Sequence, residues 1–373
     1  MNRYILIIIM LIIYAFIKGL DLSESTKKKR LITTFSFFLI LDSGLRNIAV
    51  GSDTYQYWVN FQNALGTPLG ELWNNWVHAY GKDPFYQLFM GVFQLVFPYY
   101  RFFLIFIAII FFWSLGRFIY RHVPTLNQVL VSYTFYLGLY YGFFSITGMR
   151  QTIATAIIMF AYDLLMNKKL IPATLLTLLA AQFHSSSYVF FLAFFIPFIN
   201  IRLFRNILVP LTIVVIALAY IFRNEILSFM LFESGLEDRF GLYLSEQNAH
   251  FSSAVFGMYS AVMALVLYFR NNLIQNKEMS QFVMMYILGF LLMSTAFIDN
   301  TAIRITFPFT IALYVLIPEM VSYLNIKLKY AITIIVFMVV MIPSIAEYKF
   351  YWQPMKVPAE YGNFVIQEHS LFS

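Results

Sequence analysis

The chain has 373 residues, of which 61% are hydrophobic and only 12% are charged, with a net charge of +7 and a mean hydropathy of +0.73. A soluble domain carries about twice that share of charged residues, so the composition excludes an ordinary soluble protein and favours a chain solvated by lipid. The basic residues are scattered at the ends of apolar runs, which argues against nucleic-acid binding, and the absence of cysteine excludes disulfides and thiolate chemistry.

Apolar runs follow one another along almost the whole chain, and most are long enough to cross a bilayer as a helix. The predicted spans lie near 3–20, 31–48, 101–120, 128–146, 151–166, 170–185, 187–200, 206–222, 253–270, 281–298, 303–323 and 329–346. The run 187–200 is short and is interpreted as half of a broken helix. The segment 84–98, bounded by Pro84 and Pro98, is also too short to cross and is predicted to be re-entrant or interfacial.

The predicted fold is therefore all-α: a polytopic integral membrane protein with about 12 transmembrane helices plus one short re-entrant or interfacial helix. Because the spans run nearly end to end, residues 1–373 are interpreted as a single transmembrane domain. If the segment 21–30 faces the cytoplasm, 15 of the 25 Lys and Arg residues lie inside and ten lie outside. This positive-inside bias predicts external termini and two external loops, about 47–83 and 223–252.

Four polar clusters stand at the external ends of these spans. They are Leu45–Tyr57 with Arg46 and Asp53, Gly148–Gln151 with Arg150, His184–Ser187, and Asp299–Arg304. Ionisable groups in a membrane are costly and usually line a cavity. Arginine grips phosphate oxygens through its planar fork, and an acid or a histidine can take a proton from an attacking hydroxyl. Three arginines, an acid and a histidine on one face therefore suggest a site for a diphosphate.

Each cluster also has a structural explanation, which the sequence leaves open. An arginine at the end of a span often snorkels to the interface or pairs with a neighbour. Asp53 can cap a helix in the loop, His184 can serve as a structural hydrogen-bonding group, and Asp299 can pair with Arg304. The nearby aromatic side chains suit stacking on sugar rings and equally suit an ordinary interfacial belt. These side chains are Tyr55, Tyr57, Trp58, Trp73 and Trp76.

Four short motifs occur in order between about residues 40 and 310. They are Arg46 followed by Gly51-Ser52-Asp53-Thr54-Tyr55-Gln56-Tyr57, then Arg150-Gln151-Thr152-Ile153-Ala154, then Phe183-His184-Ser185-Ser186, and finally Arg304 at the start of a late span. This set resembles the EpsG family of exopolysaccharide-assembly membrane proteins, relatives of the Wzy polymerases of O-antigen and capsule. One departure is visible: the tyrosine that often follows the aspartate directly stands one position later, at Tyr55, behind Thr54.

The resemblance implies a membrane glycosyltransferase of the bacterial cytoplasmic (inner) membrane with its active face external or periplasmic. Such an enzyme joins oligosaccharide repeat units carried on undecaprenyl diphosphate in the lipid membrane. The partners that the resemblance implies are chain-length regulator and flippase proteins, and no nucleic acid is expected. No metal and no cofactor are expected. His184 is favoured over Asp53 as the base because a neutral imidazole titrates near working pH. The expected substrate-binding residues are Arg46, Arg150, Gln151, Arg304, Asp299 and Tyr55.

Three alternatives remain at this point. An O-antigen ligase-like enzyme would use similar chemistry with a different acceptor. A transporter or flippase would more often place ionisable groups near the middle of the membrane, whereas here they lie at external ends. A non-catalytic subunit of an assembly complex is the third. The discriminating observation is whether the purified protein alone lengthens lipid-linked repeats.

Overall fold

The computed structural model describes residues 3–47, 50–51, 53–80, 84–199, 253–293 and 300–324, with a few isolated residues between 210 and 222. Within these ranges the chain forms helices and no β-strand. The chain divides into two compact units, the first comprising residues 1–160, 178–185 and 317–373, and the second residues 161–177 and 186–316. The predicted loop 223–252 and the predicted span 329–346 lie outside the described residues.

The first unit begins with seven helices and a π-helical segment. They are α1 Arg3–Gly19, α2 Glu24–Gly44, α3 Thr54–Gly66, α4 Leu69–Val77, α5 Pro84–Gln94, α6 Tyr100–His122, α7 Leu126–Leu139, the π segment Tyr141–Thr147, and then the start of α8 Met149–Met166. The spans predicted from apolar runs match α1, α6 and α8 to within two residues at each end. The segment 47–83, predicted as an external loop, contains two helices of its own, α3 and α4.

The central contact of the first unit is between α2 and α6, and it depends on glycine. A Cβ atom at Gly44 would lie 2.9 Å from the backbone Cα of Ile105, so only glycine permits this approach. Small residues at such positions allow helix backbones to pack closely in membranes. Beside this contact, the buried hydroxyls of Ser36 and Tyr133 share a hydrogen bond of 3.0 Å. The α2–α6 pair is therefore closely packed up to Gly44, the last residue of α2.

At the opposite end of α2, basic residues meet the last turn of α6. The ammonium group of Lys28 donates to the carbonyl of Tyr120 at 3.1 Å and lies 5.1 Å from the centre of its ring. Burial lowers the pKa of Lys28, and electrostatic interactions with Tyr120 and Glu24 partly oppose that shift. Lys28 is only 8% exposed, whereas Lys29 and Arg30 remain exposed. The basic run 27–30 is thus attached to neighbouring helices by Lys28 at α6 and by Lys27, which donates to the Lys18 carbonyl of α1 at 3.1 Å.

Helix α7 starts at a capping box and ends in a sharp break. Thr125 and Gln128 cap each other's backbone N–H groups, and Glu24 accepts from the N–H of Leu126 at 2.5 Å. The single span predicted over 128–146 is instead two pieces, because α7 and the π segment meet at 67°. The i→i−5 pattern is visible in the hydrogen bond of 2.7 Å from Gly148 N–H to the Phe143 carbonyl.

The second unit continues α8 and holds most of the remaining helices. These are α9 Leu170–Phe183, whose last turns belong to the first unit, a 3₁₀ helix Ser185–Phe198, α10 Ser253–Tyr268, α11 Arg270–Leu273, α12 Lys277–Leu292, a 3₁₀ helix Asn300–Thr306, α13 Phe307–Thr310 and α14 Leu313–Ser322, which returns to the first unit at residue 317. The Tyr162 ring stacks on Phe282 at 4.9 Å, and the Tyr286 hydroxyl donates to the Tyr259 carbonyl at 2.8 Å. The short run predicted over 187–200 is this first 3₁₀ helix.

By length and apolar composition, α6 alone is sufficient to cross a membrane among the helices the structure describes. Two further spans are possible if each bent pair counts as one, namely α7 with the π segment and residues 303–310 with α14. Several shorter apolar helices of 10–17 residues accompany them. The described helices are consistent with a polytopic membrane protein, but they do not establish the predicted number of about 12 spans.

Candidate functional site

The start of α3 is fixed by Thr54, not by Asp53. Asp53 occupies the N-cap position, yet its carboxylate makes no capping hydrogen bond. The Thr54 hydroxyl instead donates to the carbonyl of Ile146 in the π segment at 3.0 Å, and Thr54 is fully buried. Gly51 turns the chain toward this contact with φ +101°, a conformation that favours glycine. The half-buried Asp53 carboxylate is left available for other partners.

Arg46 lies in the interior of the first unit. Its side chain is 7% exposed, and one guanidinium nitrogen donates to the carbonyl of Ser43 at 2.5 Å. Its Nε has no hydrogen-bond partner among the described residues. The ionisable groups that interact with its charge are Tyr100, Tyr141, Tyr86 and Asp42. Sequence reasoning placed Arg46 in a phosphate site, and the structure places its charge inside a cluster of tyrosines.

This tyrosine cluster connects Arg46 to Arg150, the second residue of α8. The Nε of Arg150 lies 3.4 Å from the Tyr57 hydroxyl, and its guanidinium carbon lies 5.6 Å from the centre of the Tyr57 ring. Tyr57 in turn meets Tyr86 edge to face at 6.0 Å, and Tyr86 interacts with Arg46. The structure thus brings two of the three predicted arginines to one cluster. Arg150 is the half-buried member and Arg46 the buried one.

A small cavity adjoins Arg46. It is just large enough to hold one water molecule. Its polar lining comes from Arg46, Ser43, Ser145 and Thr152, and apolar side chains of α6 and the π segment complete it. A diphosphate group is far larger than this space.

Several members of the cluster were not predicted from the sequence. The Tyr141 hydroxyl donates to the carboxylate of Asp42, which places an acid of α2 against the π segment. The Tyr100 hydroxyl donates to the carbonyl of Thr54 at 3.2 Å. Asp42 stands within a predicted span, where an acid is unusual and signals a functional or paired role. That signal was present in the sequence, whereas Tyr86 and Tyr100 had none.

The remaining motif residues of the first unit occupy different positions. Gln151 is 3% exposed beside Arg150, where it can align the start of α8. Tyr55 is half-buried and stacks on Trp58 at 5.7 Å. The tyrosine that reaches an arginine is therefore Tyr57, two positions beyond the one singled out by the motif.

His184 stands at the junction between α9 and the 3₁₀ helix that follows it. Its backbone N–H donates to the carbonyl of Ala180 at 3.0 Å, which completes the last turn of α9. The preceding Gln182 accepts a hydrogen bond of 3.0 Å from the indole N–H of Trp76 in α4. Phe183 meets Phe85 at 5.0 Å. Gln182 and Phe183 thus hold this junction against the α4–α5 pair. The half-buried His184 lies in the same unit as Arg46 and Arg150.

The fourth cluster belongs to the second unit. Arg304 lies in the last turn of the 3₁₀ helix Asn300–Thr306 and is half-buried, whereas Asp299 lies outside the described residues. The hydroxyl of Thr306 donates back to the Ile303 carbonyl at 2.7 Å, which fixes the end of this helix. In the part of the chain that the structure describes, no three His, Asp or Glu side chains come together as metal ligands.

Comparison with known proteins gives one match. The sequence model of the EpsG family matches residues 29–356, a range that contains all four polar clusters. No curated protein and no solved structure matches the chain. The matched range covers most of the chain and includes both the tyrosine cluster and the junction at His184.

Proposed function

The chain belongs to the EpsG family, and we propose from that premise that it is a membrane glycosyltransferase that polymerises lipid-linked oligosaccharide repeat units. Membership supports a polymerase-type function in polysaccharide biosynthesis, of the exopolysaccharide or O-antigen kind. The proposed donor is a glycan on undecaprenyl diphosphate, and the proposed place is the outer leaflet of the bacterial cytoplasmic membrane. The observation that carries the proposal is that Arg46 and Arg150 share one tyrosine cluster.

The proposed reaction is a single glycosyl transfer. A hydroxyl oxygen at the non-reducing end of the incoming unit attacks the anomeric carbon of the growing chain. The bond from that carbon to the phosphate oxygen breaks, and the diphosphate leaves with the electron pair. The hydroxyl proton passes to a base on the protein. Two tasks follow for the side chains: stabilising charge on the leaving diphosphate and accepting one proton.

The half-buried Arg150 is assigned to the diphosphate. Its guanidinium is positioned by Tyr57, and a guanidinium is a group that forms charge-assisted hydrogen bonds to phosphate oxygens. Arg46 would add positive charge from within the protein, because a buried charge is weakly screened. Arg304 lies in the second unit, and its predicted role in phosphate binding is left to be tested separately by substitution. Several positive groups are more than a neutral sugar would require, which agrees with an anionic diphosphate as the ligand.

The proton acceptor is proposed to be His184, with Asp53 as the alternative. Beside His184, the tryptophan pair of α4 suits the acceptor sugar. Trp73 is 55% exposed and meets Trp76 edge to face at 5.0 Å, and Trp76 is hydrogen-bonded to Gln182 two residues before His184. An exposed indole face beside a base is suited to hold a sugar by stacking while its hydroxyl loses a proton.

The decisive experiment supplies the purified protein in lipid nanodiscs with defined lipid-linked repeat units and measures chain length. Lengthening by the protein alone supports the proposal. Transfer to a different acceptor without lengthening would identify a ligase, and movement of the lipid across a vesicle membrane without transfer would identify a flippase. Neither activity in a folded protein would identify a non-catalytic subunit. In cells, the proposal predicts that deletion removes long surface glycans and retains single repeats.

Arg150→Lys tests the assignment within that assay. Each hydrogen bond to a charged group contributes about 1.5–3 kcal/mol, so replacing the planar fork by a point charge should cut turnover by about 10- to 100-fold. The matched control is Arg117→Lys, because Arg117 packs on the Phe160 ring at 4.4 Å at the predicted cytoplasmic end of α6. Equal activities in the two variants would remove Arg150 from the diphosphate site.

A further inference from the structure

We propose that Thr54 is a positioning residue that fixes Arg150 by clamping the π segment to α3; the inference rests on the proposed role of Arg150. Three successive carbonyls of the π segment each accept a side-chain hydroxyl from a different helix. Thr152 of α8 donates to the Phe144 carbonyl at 2.7 Å. Ser43 at the end of α2 donates to the Ser145 carbonyl at 2.6 Å. Thr54 of α3 donates to the Ile146 carbonyl at 3.0 Å.

These three hydroxyls satisfy carbonyl groups at the end of a helical segment. The last four carbonyls of a helical segment have no partner within that segment, and Phe144, Ser145 and Ile146 are among them in the π segment Tyr141–Thr147. All three donors are at most 3% exposed, so water is a poor substitute at these positions. In a membrane protein, hydroxyl side chains commonly satisfy backbone groups freed at a break in a helix.

The clamp reaches Arg150 from both sides of Gly148. Thr54 and Tyr57 are three residues apart on α3, which places them on the same face of that helix. Thr54 holds the carbonyl of Ile146, two residues before Gly148, and Tyr57 holds the guanidinium of Arg150, two residues after it. One helix therefore grips the chain on either side of the turn. Rotation at the turn would have to break one of these contacts.

Among the three hydroxyls, Thr54 gives the clearest test. Thr152 also donates to the Gly148 carbonyl of its own helical turn at 2.9 Å, and Ser43 accepts from Arg46 through its own carbonyl. Substitution of either would disturb more than the clamp. Thr54 is also the residue that separates Asp53 from Tyr55, where the family pattern often has the tyrosine directly after the aspartate. The clamp gives this additional residue a physical role.

The experiment measures binding of undecaprenyl diphosphate, which needs no knowledge of the sugars, to the full-length protein in nanodiscs. Thr54→Val removes the hydroxyl at nearly constant shape and leaves the Ile146 carbonyl unsatisfied. We expect Kd to rise about tenfold, converted from the loss of one buried hydrogen bond. Thr54→Ser keeps the donor and should bind within about threefold of the parent protein. The control is Thr134→Val, because the Thr134 hydroxyl donates within its own helix, to the Leu130 carbonyl at 2.9 Å.

A double-mutant cycle with Arg150→Lys separates positioning from a general loss of structure. If Thr54 acts through Arg150, adding Thr54→Val to Arg150→Lys should weaken binding little further. An equal loss in both backgrounds would overturn the inference, as would normal binding by Thr54→Val when Arg150→Lys binds weakly. Normal binding by Arg150→Lys would instead refute the proposed role of Arg150. If Thr54→Val is not recovered as folded protein, Thr54→Ala is measured against Thr54→Ser, and equal Kd values in that pair would also overturn the inference.

Discussion

Replacement of Gly51 by alanine should destabilise the start of α3, whereas a glycine-to-alanine change at an open position should not be destabilising. With φ at +101°, an alanine at this position adopts a backbone conformation that costs about 1–2 kcal/mol. Its Cβ atom would also lie 2.6 Å from the Thr54 hydroxyl oxygen and 2.9 Å from the Ile146 side chain. Thr54 would have to move and release the Ile146 carbonyl, which adds about 1–3 kcal/mol.

Together these contributions predict a destabilisation of about 2–5 kcal/mol. In a chain of this length a change of that size lowers the thermal unfolding midpoint by about 3–6 °C, which is measurable in detergent by intrinsic tryptophan fluorescence. The matched control is Gly70→Ala in α4, because no atom lies within 4 Å of a Cβ placed there. An alanine inside a helix should leave the midpoint unchanged or raise it slightly. If both variants unfold at the same temperature, the described turn at Gly51 is wrong.

Three other predictions concern topology and chemistry. Single cysteines at Thr67 and Lys168, in a chain that has none of its own, should differ with an impermeant thiol reagent: labelling at 67 and protection at 168 are expected, and the reverse pattern would invert the orientation. His184→Gln should cut single-turnover extension by about 100-fold or more with donor binding intact. Asp53→Asn should act mainly on acceptor KM. Near-normal turnover in the first variant with abolished turnover in the second would make Asp53 the base. Arg304→Lys should lose most activity although its charge is kept, and a normal chain-length distribution at normal protein level would remove it from the site.

The sequence predicted best those parts of the fold that depend on long apolar runs. Helices such as α6 and α8 are continuous, so composition alone locates their ends closely. The break after α7 was missed because the run 128–146 contains no proline and no charged residue to mark it. The bent segment is held by hydroxyls from helices that are distant in the sequence. Helix α3 was assigned to a loop because it is only 13 residues long. Its buried face, Tyr57, Trp58 and Phe61, nevertheless has helical spacing.

The candidate site was predicted in part. The motif arginines Arg46 and Arg150 do meet at one cluster. The two motifs are far apart in the sequence, and only their predicted position on the same external face suggested this meeting. The degree of burial could not be predicted, because it depends on how α5 and α6 bring Tyr86 and Tyr100 against Arg46. Cross-chain contacts of this kind have no short-range signal in the sequence. The motif pointed to Tyr55, which stays a predicted substrate-binding residue, whereas Tyr57 lies on the buried face of α3 and contacts Arg150.

The different burial of the two arginines has a consequence for ionic strength. Mobile ions screen exposed charges over about 8–10 Å at ordinary salt concentrations but penetrate poorly to a buried charge. Arg46, at 7% exposure, should therefore attract an anionic headgroup almost equally at low and high salt, whereas the attraction of the half-buried Arg150 should weaken as salt is added. Undecaprenyl diphosphate binding by Arg46→Gln should keep the salt dependence of the parent protein at lower affinity. Binding by Arg150→Gln should lose part of that dependence, and identical slopes in the two variants would show that both arginines feel the same solvent.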